Sequence, residues 1–173
     1  MARIRMVEEA LAAEYPKQEM KCPIHLYTGQ EAIAAGVTEC LGDEDAVIST
    51  HRSHGHYLAK MGALQPFFAE LYGRETGSSK GKGGSMHLLD LERGYLGSSA
   101  IVGGNIPLVA GLALAYQFRR ENRVATAFFG DGAAEDLREL DAEDRDDRDQ
   151  GVLEAVLEHH HALAQPLRPG GAD

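Results

Sequence analysis

Ala125-Thr126-Ala127-Phe128-Phe129-Gly130-Asp131-Gly132-Ala133-Ala134 is the stretch on which the reading of this chain turns. An apolar, β-prone run that stops at Gly-Asp-Gly predicts a buried strand, Arg123 to Phe129, that delivers one carboxylate to the edge of a sheet. The two glycines let a bound group approach the backbone closely. The same tripeptide also serves as an ordinary turn, so alone it leaves both readings open. Just upstream, Gly103-Gly104-Asn105 leads into Ile106 to Arg120, small and apolar, the pattern of a helix packed tightly against a sheet. Further back, Ala46-Val47-Ile48-Ser49-Thr50 is a second short β-prone run. Strand, helix, strand is a parallel crossover, so a layered α/β domain is expected, a parallel sheet flanked by helices.

The rest of the chain fits that frame. Ile4 to Tyr15 carries apolar residues at helical intervals (Ile4, Val7, Ala10, Leu11), with acids on the other face, and ends before Pro16. Gln30 to Leu41 reads as a second helix between Gly29 and Gly42, and Phe67 to Tyr72 as the end of a third that stops at Gly73. A length of 173 residues with 43% hydrophobic content suits one domain with a real core. No apolar run approaches the roughly 20 residues that cross a bilayer, so a cytoplasmic protein without a membrane partner is expected. Cys22 and Cys40 lack CxxC spacing and read as ordinary reduced thiols. The net charge of −10 argues against nucleic acid as a partner, but Glu135 to Asp149 alone holds nine acids against three arginines. That block reads as a solvated linker or an exposed helix.

Three clusters bear chemistry. Asp131 suits Mg²⁺, which is commonly held by one or two protein oxygens together with phosphate and water. Lys80-Gly81-Lys82-Gly83-Gly84-Ser85 looks friendly to phosphate, yet it lacks the Gly-x-x-x-x-Gly-Lys-Ser/Thr order of a P-loop, and a plain surface loop explains it equally well. Arg52 and His54 follow a strand end and are candidate diphosphate donors, or simply surface groups. His159-His160-His161 is a poor metal site, because consecutive residues on a helix point apart.

The order of the pieces narrows these alternatives. The series runs His25-Leu26-x-x-Gly29-Gln30-Glu31-Ala32, His51-Arg52-x-His54-Gly55, Gly73-Arg74 and Lys80-Gly81-Lys82-Gly83-Gly84-Ser85-Met86-His87. Ile101-Val102-Gly103 through Pro107 and Gly130-Asp131-Gly132-Ala133-Ala134 complete it. It closely resembles the alpha subunit of thiamine diphosphate-dependent 2-oxoacid dehydrogenases, of the pyruvate dehydrogenase type with acetoin dehydrogenase a near relative. The resemblance covers about Met6 to Ala134.

It implies a cofactor lying between an alpha and a beta subunit of a heterotetramer, with the alpha subunit holding the diphosphate and Mg²⁺. By that resemblance Arg52 binds the diphosphate, and His51 stands where the family usually has Tyr. Ala100 and Val102 match backbone contacts to the aminopyrimidine, Asp131 the magnesium ligand, and Gly132 and Ala133 the adjoining diphosphate contacts. His25 and, less directly, His54 match catalytic histidines of the cavity, where an imidazole suits proton transfer or hydrogen bonding to the 2-oxo group; His87 is a weaker candidate. The implied reaction is oxidative decarboxylation of pyruvate or a related 2-oxo acid, with the acyl unit passed to a lipoyl-bearing transacylase.

Residues 135–173 depart from the pattern. The family continues into a helix, a strand and an Asn that completes the magnesium site, whereas the last Asn here is Asn122. The expected organisation is therefore a dehydrogenase portion over 1–134, truncated or divergent beyond, followed by an acidic linker and a tail helix at Gly151 to Glu158. An incomplete fold that is inactive alone is expected, or a pseudoenzyme that modulates an intact complex.

Overall fold

A computed structural model of the chain describes residues 1–135, and the expected acidic linker, tail helix and histidine run lie outside them. Among the described residues the elements follow in the order α1 (Ala2–Glu14), α2 (Glu31–Thr38), β1 (Ala46–Ser49), α3 (His54–Ala59), α4 (Leu64–Leu71), β2 (Tyr95–Ser98), α5 (Asn105–Arg119) and β3 (Ala125–Ala127), and residues 131–135 are again helical. The strands form one sheet in the order β2-β1-β3, parallel throughout. This is the expected α/β architecture. β1 lies at the centre because Ala46-Val47-Ile48 is apolar on both faces, and Ala46 and Val47 are fully buried. The crossover runs from β2 through α5 to β3 and so spans β1.

β3 is shorter than the β-prone run that predicts it, because it pairs only Ala125, Thr126 and Ala127 with Ala46, Val47 and Ile48. Phe128 N–H still donates to Ile48 O at 3.0 Å before the chain leaves the sheet. Phe128 O then accepts from Asn105 Nδ2 at 2.5 Å, so the first residue of α5 pins the chain just before Gly130-Asp131-Gly132, where residues 131–135 become helical. β2 and α3 are absent from the sequence expectation. β2 holds Gly97, which weakens any strand pattern, and α3 opens on His54-Gly55-His56, polar and glycine-containing.

The core gathers Ile4, Val7 and Leu11 of α1 with Tyr27, Tyr57, Leu58, Phe67, Leu71, Leu88 and Tyr95. One expectation is corrected there. Glu8 does not share the exposed face of α1 with the other acids. It lies in the buried stripe between Ile4 and Leu11, and it is accommodated because Oε2 accepts Tyr27 N–H (3.1 Å) and Oε1 meets His54 Nδ1 (2.9 Å). α5 packs against the sheet as expected, with Asn105, Val109 and Tyr116 buried, while Leu108, Leu114 and Phe118 are exposed among the described residues. Cys22 and Cys40 are both free thiols.

Candidate functional site

Parallel strands end together at one sheet edge, and ligands of open α/β sheets bind in the crevice outside those carboxyl ends. Here the crevice is a cleft of about 330 Å³. The loop after β1 brings Thr50, His51 and Arg52 to it, and the chain after β3 brings Phe128 through Ala133. The segment between β2 and α5 adds Val102 and Gly103, and the segment before and within α2 adds Tyr27, Gln30 and Ile33.

Arg52 is anchored by Nη1 donating to Leu26 O at 2.5 Å, which ties the strand end to the Leu26–Gln30 loop. That loop is braced in turn by Glu31. Its carboxylate accepts Gly29 N–H at 3.0 and 3.1 Å and pairs with Arg5 Nε at 2.6 Å, and these bonds hold it at about pKa 2. Burial, helped by His25 and Arg52 nearby, pushes the His51 imidazole below its ordinary range, so near neutral pH it is a hydrogen-bonding ring rather than a cation. Asp131 is exposed and is the only acidic side chain lining the cleft among the described residues. Among the described residues no three His, Cys, Asp or Glu side chains converge as a ready metal cage. A single carboxylate still fits Mg²⁺, which takes most of its shell from phosphate and water.

Of the sequence-predicted site residues, His51, Arg52, Val102, Asp131, Gly132 and Ala133 line this cleft. His25 does not line it directly. Its ring meets the His51 ring edge-on at 5.0 Å, and its Nδ1 is buried with no hydrogen-bond partner among the described residues. Ala100 is exposed and outside the lining. His54 is in the interior, with Nδ1 on Glu8 and Nε2 2.6 Å from Ser85 Oγ, and its ring packs edge-on against Phe67. Both nitrogens are engaged away from the cleft, so the structure gives His54 a structural bond where the sequence suggests a catalytic one. His87 lines a separate shallow groove with Ser79, Lys82, Leu89 and Ser98.

The Lys80–Ser85 loop is likewise not a phosphate cradle. Glu70 of α4 is buried, and its Oε2 accepts the N–H of Ser79 (2.7 Å) and Gly81 (2.9 Å) while Oε1 accepts those of Gly83 (2.7 Å) and Gly84 (3.0 Å). Burial alone would raise this carboxyl's pKa, and the four N–H donors outweigh that and hold it below its ordinary value. The amides that invite an anion already hold one.

Sequence reasoning missed Tyr27, Gln30, His56 and Phe128 as cleft residues. His56 was reachable in principle, two residues beyond His54 on the same short segment, but only the helix shows which of the two turns toward the cleft. Its ring stacks on Phe128 at 3.8 Å between centroids. Gly55 admits the Tyr27 ring beside it: a Cβ there would fall 2.0 Å from Tyr27 Cδ1.

Comparison with known proteins agrees with this geometry. The family described as "Dehydrogenase E1 component" matches residues 1–137. The alpha subunit of acetoin:2,6-dichlorophenolindophenol oxidoreductase from Bacillus subtilis (strain 168) is 44% identical over 133 residues, covering 77% of this chain and 40% of that protein. Its counterpart from Cupriavidus necator is 42% identical over 134 residues, covering 78% and 40%. The mitochondrial pyruvate dehydrogenase E1 component subunit alpha-1 of Arabidopsis thaliana is 42% identical over 134 residues, covering 78% and 34%. The chain thus spans 34 to 40% of the length of these relatives. With a parallel sheet whose strand ends assemble the matched motifs, and with that match running over most of its length, the chain belongs to the dehydrogenase E1 component family.

Proposed function

We propose that this chain is the diphosphate-holding part of a thiamine diphosphate-dependent 2-oxoacid dehydrogenase alpha subunit. It would act with a beta subunit on pyruvate or a related 2-oxo acid and hand the acyl unit to a lipoyl-bearing transacylase. One observation carries the reading: Arg52, Val102 and the Gly130–Ala133 segment meet in a single cleft at the ends of parallel strands.

The residues suit the group. Arg52 supplies fixed positive charge of the kind that matches phosphate oxygens. Asp131 supplies one oxygen for Mg²⁺, and the small residues Gly132 and Ala133 let phosphate oxygens come near the backbone. Ile33, Phe128 and Phe129 give the apolar wall that a ring system needs. When bound, thiamine diphosphate supplies the nucleophilic carbon and the electron sink for decarboxylation. The protein's share is to bind and orient: Arg52 would offset the diphosphate charge, Asp131 would hold the metal, and the neutral His51 ring, with His25 packed edge-on against it, borders the site as a hydrogen-bonding group.

Titration of the full chain with thiamine diphosphate and Mg²⁺, followed by protein NMR shifts, tests this. With Asp131 the one acid in the cleft among the described residues, the expected binding is Mg²⁺-dependent and weak, about 1 mM. Added beta subunit of this family is expected to tighten it. Micromolar binding by the chain alone would overturn the need for further ligands. Association with the beta subunit and no cofactor binding at any concentration would favour an assembly role over catalysis.

A further inference from the structure

Residues 51–54 are one short segment facing two ways. His51 and Arg52 line the cleft, whereas the next two side chains, Ser53 and His54, are fully buried. Ser53 Oγ donates to Ser85 O at 2.8 Å, His54 Nε2 lies 2.6 Å from Ser85 Oγ, and His54 Nδ1 meets Glu8 Oε1 at 2.9 Å. The backbone that carries Arg52 is therefore seated by groups that lie outside the cleft lining.

Glu8 makes a second bond, and it reaches the other end of the Arg52 side chain. Its Oε2 accepts Tyr27 N–H at 3.1 Å, and Arg52 Nη1 donates to Leu26 O. Leu26 C=O and Tyr27 N–H belong to the same planar peptide unit. In a trans peptide these two groups point in opposite directions, so Glu8 on one side aims the carbonyl at Arg52 on the other. One carboxylate thus holds Arg52 twice, through the His54 link to its backbone and through the peptide that anchors its guanidinium. A buried carboxylate is a costly choice in a stripe that α1 otherwise fills with Ile4, Val7 and Leu11. It contributes two hydrogen bonds of fixed direction, which an apolar side chain cannot make.

We propose that Glu8 and His54 are positioning residues for the cleft, a buried pair that sets the Arg52 guanidinium where an anionic ligand meets it. The ligand half of this rests on the diphosphate reading of the cleft; the placement of Arg52 does not.

Two variants of the full chain separate positioning from plain structural support. Glu8→Met removes both acceptors and keeps an unbranched side chain. Glu8→Gln keeps both links, since its carbonyl oxygen can accept Tyr27 N–H while its amide donates to His54 Nδ1. The first readout needs no ligand: the rate at which phenylglyoxal modifies Arg52, followed by peptide mass spectrometry. Arg3 is the internal control, because it lies on the same helix as Glu8 and is anchored in the same manner, with Nη2 donating to Gly62 O at 2.6 Å. In Glu8→Met the Arg52 rate is expected to rise about fivefold with Arg3 unchanged. Glu8→Gln is expected to return it to the wild-type value. Equal rises at both arginines in a folded variant, or none, overturn the proposal. Should Glu8→Met not fold, His54→Gln, whose amide reaches towards Ser85 but not Glu8, must show the same split between Arg52 and Arg3.

Binding of thiamine diphosphate with Mg²⁺, by NMR titration, tests the ligand half. Arg52→Gln is expected to weaken it about tenfold in the wild-type background and less than about threefold beside Glu8→Met, where the guanidinium is already displaced. An equal loss in both backgrounds overturns the ligand half while leaving the diphosphate reading intact. If the wild-type chain binds nothing, the diphosphate reading fails and the ligand half with it, whereas the phenylglyoxal rates still decide the placement of Arg52.

Discussion

The Gly-rich loop at Ser79–Gly84 and the Gly-Asp-Gly segment at Gly130–Gly132, which opens into helical residues 131–135, look alike on paper and behave as opposites in the fold. The first offers four backbone donors and two lysines, yet all four donors close on the buried Glu70 carboxylate. The second offers one exposed carboxylate and little else, yet it stands at the mouth of the sheet beside Arg52. A binding site is marked by polar groups that the fold leaves unmatched at a cleft. A loop rich in glycine and lysine whose amides are already matched is a structural joint.

That contrast can be broken most forcefully at Glu70. Glu70→Ala leaves four backbone donors facing an empty space, and a loss of about 3 kcal/mol of stability is expected. A urea midpoint close to that of the wild type would mean that the loop does not depend on its internal anion. Gly55→Ala tests the cleft side in the same way. Its Cβ would overlap the Tyr27 ring, and overpacking of this kind costs about 3 kcal/mol or forces the ring out of place. Far-UV melting and the His56 NMR signal would both register it.

Acid sharpens the comparison through the groups themselves. The folded pKa of His56 is depressed from 6.5 to about 3 by burial, so the unfolded chain binds the extra proton first and stability is lost as pH falls below 6.5. Between pH 7 and pH 5 a loss of about 2 kcal/mol is expected, followed by chemical denaturation at each pH and absent from His56→Gln. Glu70 and Glu31 are depressed in the same sense, so their contributions persist to lower pH and are lost only below the ordinary carboxylate range. The Glu31 contribution is lost as pH drops from 4.5 towards about 2.

Smaller effects separate ligand from scaffold. Asp131 makes no hydrogen bond or ion pair among the described residues, so Asp131→Asn is expected to hold stability within about 0.5 kcal/mol while removing the Mg²⁺-dependent part of thiamine diphosphate binding. Lys82→Ala should do neither. It lies on the loop whose amides face Glu70, and a change in cofactor affinity beyond about twofold would reopen that loop as a phosphate site.

The exposed apolar face of α5 and the buried Glu8 show where a periodic reading stops. Apolar residues at Leu108, Leu114 and Phe118 suit burial by spacing, but spacing cannot say how many sides of a helix find a neighbour. Glu8 falls in the apolar stripe of α1 by the same geometry, and its charge tempts a reader to place it outside. His54 and the Tyr27 N–H meet it from 46 and 19 residues away, which no local pattern reveals.

By itself the sequence determined the parallel α/β frame, the family and part of the cleft. Strand ends, glycine turns and the spacing of Arg52, Val102 and Asp131 are properties of short segments whose order along the chain is fixed. Only the tertiary structure decided which polar groups remain available. It turned His56 to the cleft and His54 to the interior, and it set Glu70 into the glycine loop. A side chain's role follows from whether long-range partners already satisfy its donors and acceptors, and those partners are brought together by packing.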